Sequence, residues 1–254
     1  MTSSSTTPTA EMSAELQAAF DHFNRELFDG ELPPPLLTIQ RQKNSAGYFT
    51  AKGWVHRQGA QKVDEIALNP KYFAVQTLQE SMKILVLQMA FAWQTHYGKP
   101  GRRRYANKDY GDKLQSIGLM PSKTGKPGGK MTGEKIDAYV IEGGAFEAAC
   151  RKLLTNSFEL SWLDRFPVTV KELSRTMHQL PEETQIALTE EEVATLEIEV
   201  VEKNEPASGQ YRFVCPLCNR KLWGTKKLEG ELMHLPCQQI MVMRDASEPD
   251  PTNT

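Results

Sequence analysis

The chain lacks any apolar run long enough to cross a bilayer. The longest, Ile84 to Trp93, is broken at Gln88 and falls far short of the roughly 20 residues a spanning helix needs. Met1 to Ala10 is rich in Ser and Thr and has no apolar centre, so it reads as a flexible tail and not as a secretory signal. Cysteine is scarce, with 4 in 254 residues, three of them between 215 and 237. A secreted disulfide scaffold would spread more cysteines through a shorter chain, so the expected compartment is the reducing cytoplasm. The histidines stand at 22, 56, 96, 178 and 234, and no two are spaced three or four apart. No helix can therefore present two imidazoles on one face to a single metal ion.

A global excess of charge is also missing. The formal net charge of −2 conceals two opposed blocks. Lys99 to Lys135 carries ten Lys/Arg against three Asp/Glu, whereas Glu182 to Glu205 carries nine Glu against one Lys. These blocks nearly cancel, so they are more informative than the total. The length of 254 residues suggests one domain plus a smaller module, and an apolar share of 39% suits a folded protein with polar linkers or tails.

Periodicity locates the elements. Residues 12–29 place Leu16, Ala19, Phe20, Phe23 and Leu27 at helical spacing, with Ser13 as the expected N-cap and Asp29-Gly30 as the stop. Pro33 to Pro35 forbids helix and leads into a strand at Leu36–Gln40. Further strands are expected around Ala46–Trp54 and Glu65–Leu68. Thr77 to Tyr97 is apolar on nearly every side, the pattern of a helix at the centre of a domain. Lys99 to Lys130 is rich in glycine and proline and reads mostly as loop around a short helix at Asp109–Ile117. A strand at Tyr139–Ile141 and a helix at Gly144–Leu154 follow. Phe158 to Leu180 shows amphipathic helical fragments, Glu182 to Glu192 is acidic, and Leu196 to Val201 alternates like a strand. The expected organisation is a tail at 1–12, an α+β domain at 13–155, an acidic connector at 156–208, a metal module at 209–244 and a polar tail at 245–254.

The strongest chemical signal is Cys215-Pro-Leu-Cys218 followed by His234-Leu-Pro-Cys237. Two residues between paired ligands let both side chains converge on one ion, and the longer gap leaves room for a hairpin. Four such ligands suit one structural zinc ion in a closed tetrahedral site. The alternative is two buried cysteines beside an unrelated pair. Around this module Arg220, Lys221, Trp223, Lys226 and Lys227 put cations and an aromatic ring together, the ingredients of nucleic-acid contact, though a solvated hairpin would look the same.

Several segments in order resemble the SprT-like family, the zincin-type proteins that include the Spartan DNA–protein crosslink proteases. They are Asn24 to Pro33, Gly47-Tyr48-Phe49, Asp64 to Pro70, Leu85-Val86 with Met89 and Trp93-Gln94, Gly98-Lys99-Pro100, Asn107-Lys108, Ser122 to Gly125 and Ile141 to Gly144. The likeness covers 13–155, returns at the terminal ribbon, and is strongest toward members from bacterial mobile elements. It implies a zincin-type domain with a small sheet packed on a central buried helix. The family's chemistry needs His-Glu-x-x-His on that helix and a third histidine downstream. Here the matching positions read Leu87, Gln88 and Phe91, with Ala106 for the third ligand. Ligands and general base are all replaced, so the resemblance implies a pseudo-metalloprotease without catalytic residues. Leu87 and Phe91, one turn apart, are expected to fill the vacated space as core. Cys150, with no base beside it, reads as a small buried hydrophobe.

Lys99, Arg102, Arg103, Arg104 and Lys108 border the place where a substrate would lie in an active relative, and could contact phosphates without reading sequence. They could equally satisfy loop carbonyls or the acidic stretch of the same chain. The acidic stretch could mask the basic block, face a basic partner, or be solvated linker. Three functions remain open at this level: an adaptor for DNA or a DNA-handling complex, a protein-directed inhibitor such as an anti-defence or fertility-control factor, and a protease with unconventional residues.

Overall fold

The chain divides into two units, Met1–Val201 and Glu202–Thr254. The computed structural model describes residues 7–102, 105–155, 158–168, 195, 196, 198 and 210–244. Residues 1–6 of the expected N-terminal tail, 169–180 of the stretch expected to hold helical fragments, the acidic stretch 182–192, most of the alternating segment 196–201, the linker 204–209, the C-terminal tail 245–254 and the residues Arg103 and Arg104 lie outside them.

Helix α1 spans Pro8–Leu27 and begins earlier than Ser13, because extended Thr7 hands directly to Pro8 at the first helical position. Proline's fixed φ suits that place, and its missing N–H has no intrahelical partner to lose. The helix buries Leu16, Ala19, Phe20, Phe23 and Leu27. It stops at Phe28, after which Asp29 and Gly30 take left-handed φ of 56° and 74°. Asn24 seals the turn, donating from Nδ2 to the Leu32 carbonyl (3.0 Å) and accepting the Leu32 N–H on Oδ1 (3.1 Å).

Among the described residues three strands form one sheet in this unit, in the order β1-β3-β2. Strand β1 (Leu36–Ile39) runs parallel to β3 (Lys62–Leu68), and β2 (Gly47–Val55) runs antiparallel to it, with a register shift between Thr50 and Trp54. Gly47 is required by close approach: a Cβ there would stand 2.9 Å from the Ala67 carbonyl and 3.0 Å from Ile84 of the next helix. That helix, α2 (Leu78–His96), is capped by Thr77, whose hydroxyl accepts the Glu80 N–H at 3.2 Å. It is buried along most of its length and forms the spine of the core.

Asn107 caps α3 (Lys108–Ser116), accepting the Tyr110 N–H at 3.1 Å. Strands β4 (Leu119–Ser122) and β5 (Asp137–Val140) then pair antiparallel. Leu119–Ser122 falls inside the segment expected to be loop, since Pro121 and the neighbouring glycines hide a strand that only its partner reveals. Helix α4 (Ala145–Thr155) packs on α1, with Phe146 stacked on Phe23 at 5.9 Å and His22 Nε2 donating to the Ala149 carbonyl at 2.9 Å.

Residues 158–168 are not helical, and several of their side chains pack on this unit. Phe158, Leu160 and Leu163 pack on the core, Ser161 bonds to Glu15, Trp162 Nε1 donates to Glu11 at 2.7 Å, and the Val168 N–H donates to the Lys71 carbonyl at 2.9 Å. Apolar side chains spaced for a helix here meet an existing surface, and tertiary contact outweighs the local period.

The second unit is a small β structure. Strands β6 (Gln210–Val214), β7 (Lys221–Thr225) and β10 (Val242–Arg244) form an antiparallel sheet in the order β10-β6-β7, and β8 (Met233–His234) pairs with β9 (Gln239–Ile240). Its buried centre is Phe213, Cys215 and Met241. Among the described residues no helix is long and apolar enough to cross a membrane.

Candidate functional site

Four ligand-bearing side chains converge in the second unit. Cys215 and Cys218 sit on the turn from β6 to β7, His234 ends β8, and Cys237 closes the turn that follows it. Their donor atoms all lie within 4.8 Å of one another. Cys218 Sγ stands 3.4 Å from His234 Nδ1. Donors on a metal tetrahedron with bonds of about 2.0–2.3 Å are separated by roughly 3.3–3.8 Å, so the group can hold one metal ion. The turn is shaped for that: the Cys215 N–H donates to the Arg220 carbonyl (2.9 Å) and the Asn219 N–H to the Cys215 carbonyl (2.9 Å), with Asn219 in left-handed φ of 53°. Burial pushes the Cys215 thiol up, but the backbone N–H groups of Cys218 and Leu217 outweigh it and bring the thiol down to about 6. A thiolate is the form a metal binds. Sharing a hydrogen bond with Cys218, and then burial, hold Cys237 up at about 11.

The same hairpin arranges the surface cations and the aromatic ring. Strand alternation puts Lys221, Trp223 and Thr225 on one face of β7, and Arg212 pairs directly with Trp223 across β6. Phe213 and Gly224 lie on the opposite face, against the buried centre. Trp223 is 56% exposed. Arg220 and Lys227 are exposed on the turns at either end of β7, and Lys226 opens the 3-10 turn after it. Arg212 was not among the residues singled out from sequence; its pairing with Trp223 becomes visible only with the hairpin register.

In the first unit Lys99, Arg102 and Lys108 are exposed on and beside the connection from α2 to α3. This connection is tied down: Asp109 accepts the Lys99 N–H at 2.8 Å, and Asn107 donates to the Lys99 carbonyl at 2.8 Å. Lys108 lies 3.5 Å from Asp112 in an exposed pair.

The helix positions singled out by resemblance are packed. Leu87 and Gln88 are buried, and Ala106 is fully buried, exchanging backbone hydrogen bonds of 2.9 Å with Gly133. Phe91 stacks on Tyr110 with ring centroids 4.2 Å apart, and the Tyr110 hydroxyl donates to the Leu87 carbonyl at 3.2 Å. Burial, with the Asp137 carboxylate, pushes the Tyr110 phenol far above its ordinary value, so it stays a donor. One turn before Leu87, Lys83 is buried between Glu80 (2.7 Å) and Asp137 (3.6 Å). Burial alone would push its ammonium down, but Asp137 and Glu80 outweigh it and hold it above the usual lysine range. His96 is engaged elsewhere, its Nε2 lying 2.6 Å from Asp64, whose other oxygen accepts the Lys52 N–H at 2.7 Å.

No protein-family model matches the chain. No solved structure matches it either. Over 59 residues, 23% of this chain and 80% of the relative, it is 51% identical to a protein of Salmonella typhimurium described as an uncharacterized protein in the mucB 3′ region. Through that shared segment, the chain belongs to the same family as the Salmonella mucB 3′-region protein.

Proposed function

We propose that this chain is a non-catalytic SprT-like protein of a bacterial mobile element, acting as an adaptor that binds DNA or a DNA-handling complex, and that its second unit is a zinc ribbon. The observation that carries the nucleic-acid reading is the outward face of β7, where exposed Trp223 stands between Lys221 on its own strand and Arg212 on the next. Every base has a π face, so an indole flanked by cations binds single strands with little regard to sequence. Lys99, Arg102 and Lys108 offer further sequence-independent contacts to phosphates.

Three cysteines and a histidine are a soft, closed donor set, which favours zinc in a structural role. The non-catalytic reading is supported by the stacking of Phe91 on Tyr110 and by the burial of Leu87 and Ala106. Gln88 carries an amide where the resembled proteases need a carboxylate, and an amide does not take a proton from water at neutral pH.

Fluorescence anisotropy with a labelled single strand at low salt tests the reading. The chain is expected to bind, to weaken steeply as salt rises, and to lose roughly ten-fold or more in affinity on Trp223→Ala, as base stacking on one ring is worth about 1–3 kcal/mol. Absence of binding to single- and double-stranded DNA at low salt removes the adaptor reading. One stoichiometric protein partner captured without dependence on DNA favours a protein-directed inhibitor instead. Metal analysis should return one zinc per chain, and two would reopen the case for catalysis.

A further inference from the structure

A cleft of about 370 Å³ opens in the first unit where the β1–β2 connection, the turn after β3 and the segment through Phe166 and Val168 meet. Among the described residues its charge is one-sided: Arg41, Lys43 and Lys71 line it, and no carboxylate does. Asp164 stands behind Arg41, its side chain buried, accepting Nε at 2.7 Å and Nη2 at 3.1 Å. An arginine held in this way keeps its second fork, Nη1 with Nη2, for another planar or tetrahedral oxyanion. Lys43 and Lys71 have no carboxylate partner among the described residues.

The walls are held in place. Buried Asn69 donates from Nδ2 to the carbonyls of Gln42 (2.8 Å) and Ser45 (2.9 Å), and its Oδ1 accepts the Lys71 N–H (3.2 Å). Asp164 also accepts the Phe166 N–H at 3.0 Å, so the carboxylate that orients Arg41 also sets the backbone of the opposite wall. Side chains supported from behind in this manner are pre-organised for a ligand.

The charge count selects the ligand. Arg41 and Asp164 cancel, which leaves the two lysines to match the charge of about −1.5 to −2 that a phosphomonoester carries near pH 7. The ring of Phe166, half exposed at the rim with the Arg165 guanidinium 5.7 Å from its centroid, supplies a planar apolar surface beside these cations. The volume falls at the small end of the range typical of ligand pockets, larger than a bare phosphate requires. We propose that this cleft binds a phosphomonoester joined to a planar base, that is, a nucleotide, either free or at a phosphorylated strand end. It belongs to the first unit and does not rest on the ribbon surface.

Calorimetry on the full chain at low salt tests this with AMP, adenosine, inorganic phosphate, and one oligonucleotide with and without a 5′-phosphate. AMP is expected to bind at least about ten-fold more tightly than adenosine, because the charge-assisted bonds are made by the phosphate. Lys43→Ala and Lys71→Ala should each weaken AMP by roughly three- to ten-fold, and together abolish the distinction from adenosine. Lys43 is exposed and Lys71 half-buried, and an unchanged urea midpoint verifies that the variants fold. Trp223→Ala should leave AMP affinity unaltered, which separates this site from the ribbon. Preference for the phosphorylated oligonucleotide assigns a strand end, and AMP binding without that preference assigns a free nucleotide. Equal affinity for AMP and adenosine, undiminished AMP binding by the double variant, or no AMP binding at low salt would overturn the proposal.

Discussion

The two units reach order by different means. The first gathers one continuous hydrocarbon core, from Leu16 and Phe23 of α1 through Leu85 and Met89 of α2 to Leu153 of α4. The second buries Phe213, Cys215 and Met241 and leaves Leu217 and Leu235, at the tips of its two ligand turns, largely in solvent. A segment this short buries little apolar surface against its lost chain entropy, and an ion held by Cys215, Cys218, His234 and Cys237 would supply what the core lacks. The helix of the first unit illustrates the converse. Where the resembled family would hold ligands, this chain has Leu87 and Ala106, both buried, and Phe91, stacked on Tyr110.

The contrast predicts a large effect of metal removal that is confined to one unit. Structural zinc in small modules contributes about 10–16 kcal/mol of apparent binding free energy at neutral pH, so chelation or Cys215→Ser should unfold the second unit. Limited proteolysis should then cut within 210–244 while the urea transition of the first unit stays in place. Protection of 210–244 after the metal is gone would erase the distinction drawn here.

The reciprocal change is smaller. Leu85 is fully buried on α2, and Leu85→Ala should cost the first unit about 2–5 kcal/mol in urea unfolding, with the metal content of the chain unaltered. A loss of metal in this variant would mean that the two units fold as one.

The smallest effect is a pH dependence within the first unit. Burial, and then the charge of Glu80, push the Cys150 thiol up to about 12. In the unfolded chain it titrates near about 8.5. Between those values the unfolded chain has lost the proton and the native chain has kept it, so stability falls as pH rises through this window and is fully present below it. The stability advantage of the native sequence over Cys150→Ala should therefore shrink from pH 8.5 toward pH 11, measured as the difference in urea midpoints. A difference that does not change with pH would show that the thiol is more accessible than its packing implies.

Sequence alone determined what depends on neighbours along the chain. The central helix was legible from its apolar residues on nearly every side, and the ligand cluster from two Cys/His pairs whose spacing brings four donors together. Strand β4 was not, because Pro121 and the adjoining glycines weaken its local signal and its partner lies beyond a long turn. The course of 158–168 was equally hidden, since what directs it is the surface of α1 and the turn at Lys71. Only tertiary structure could set Arg41 against Asp164, 123 residues away, or place Arg212 beside Trp223. Local spacing encodes which donors and apolar faces exist, whereas charge pairing across distant segments depends on how the chain closes, and that is decided by burial of the whole core.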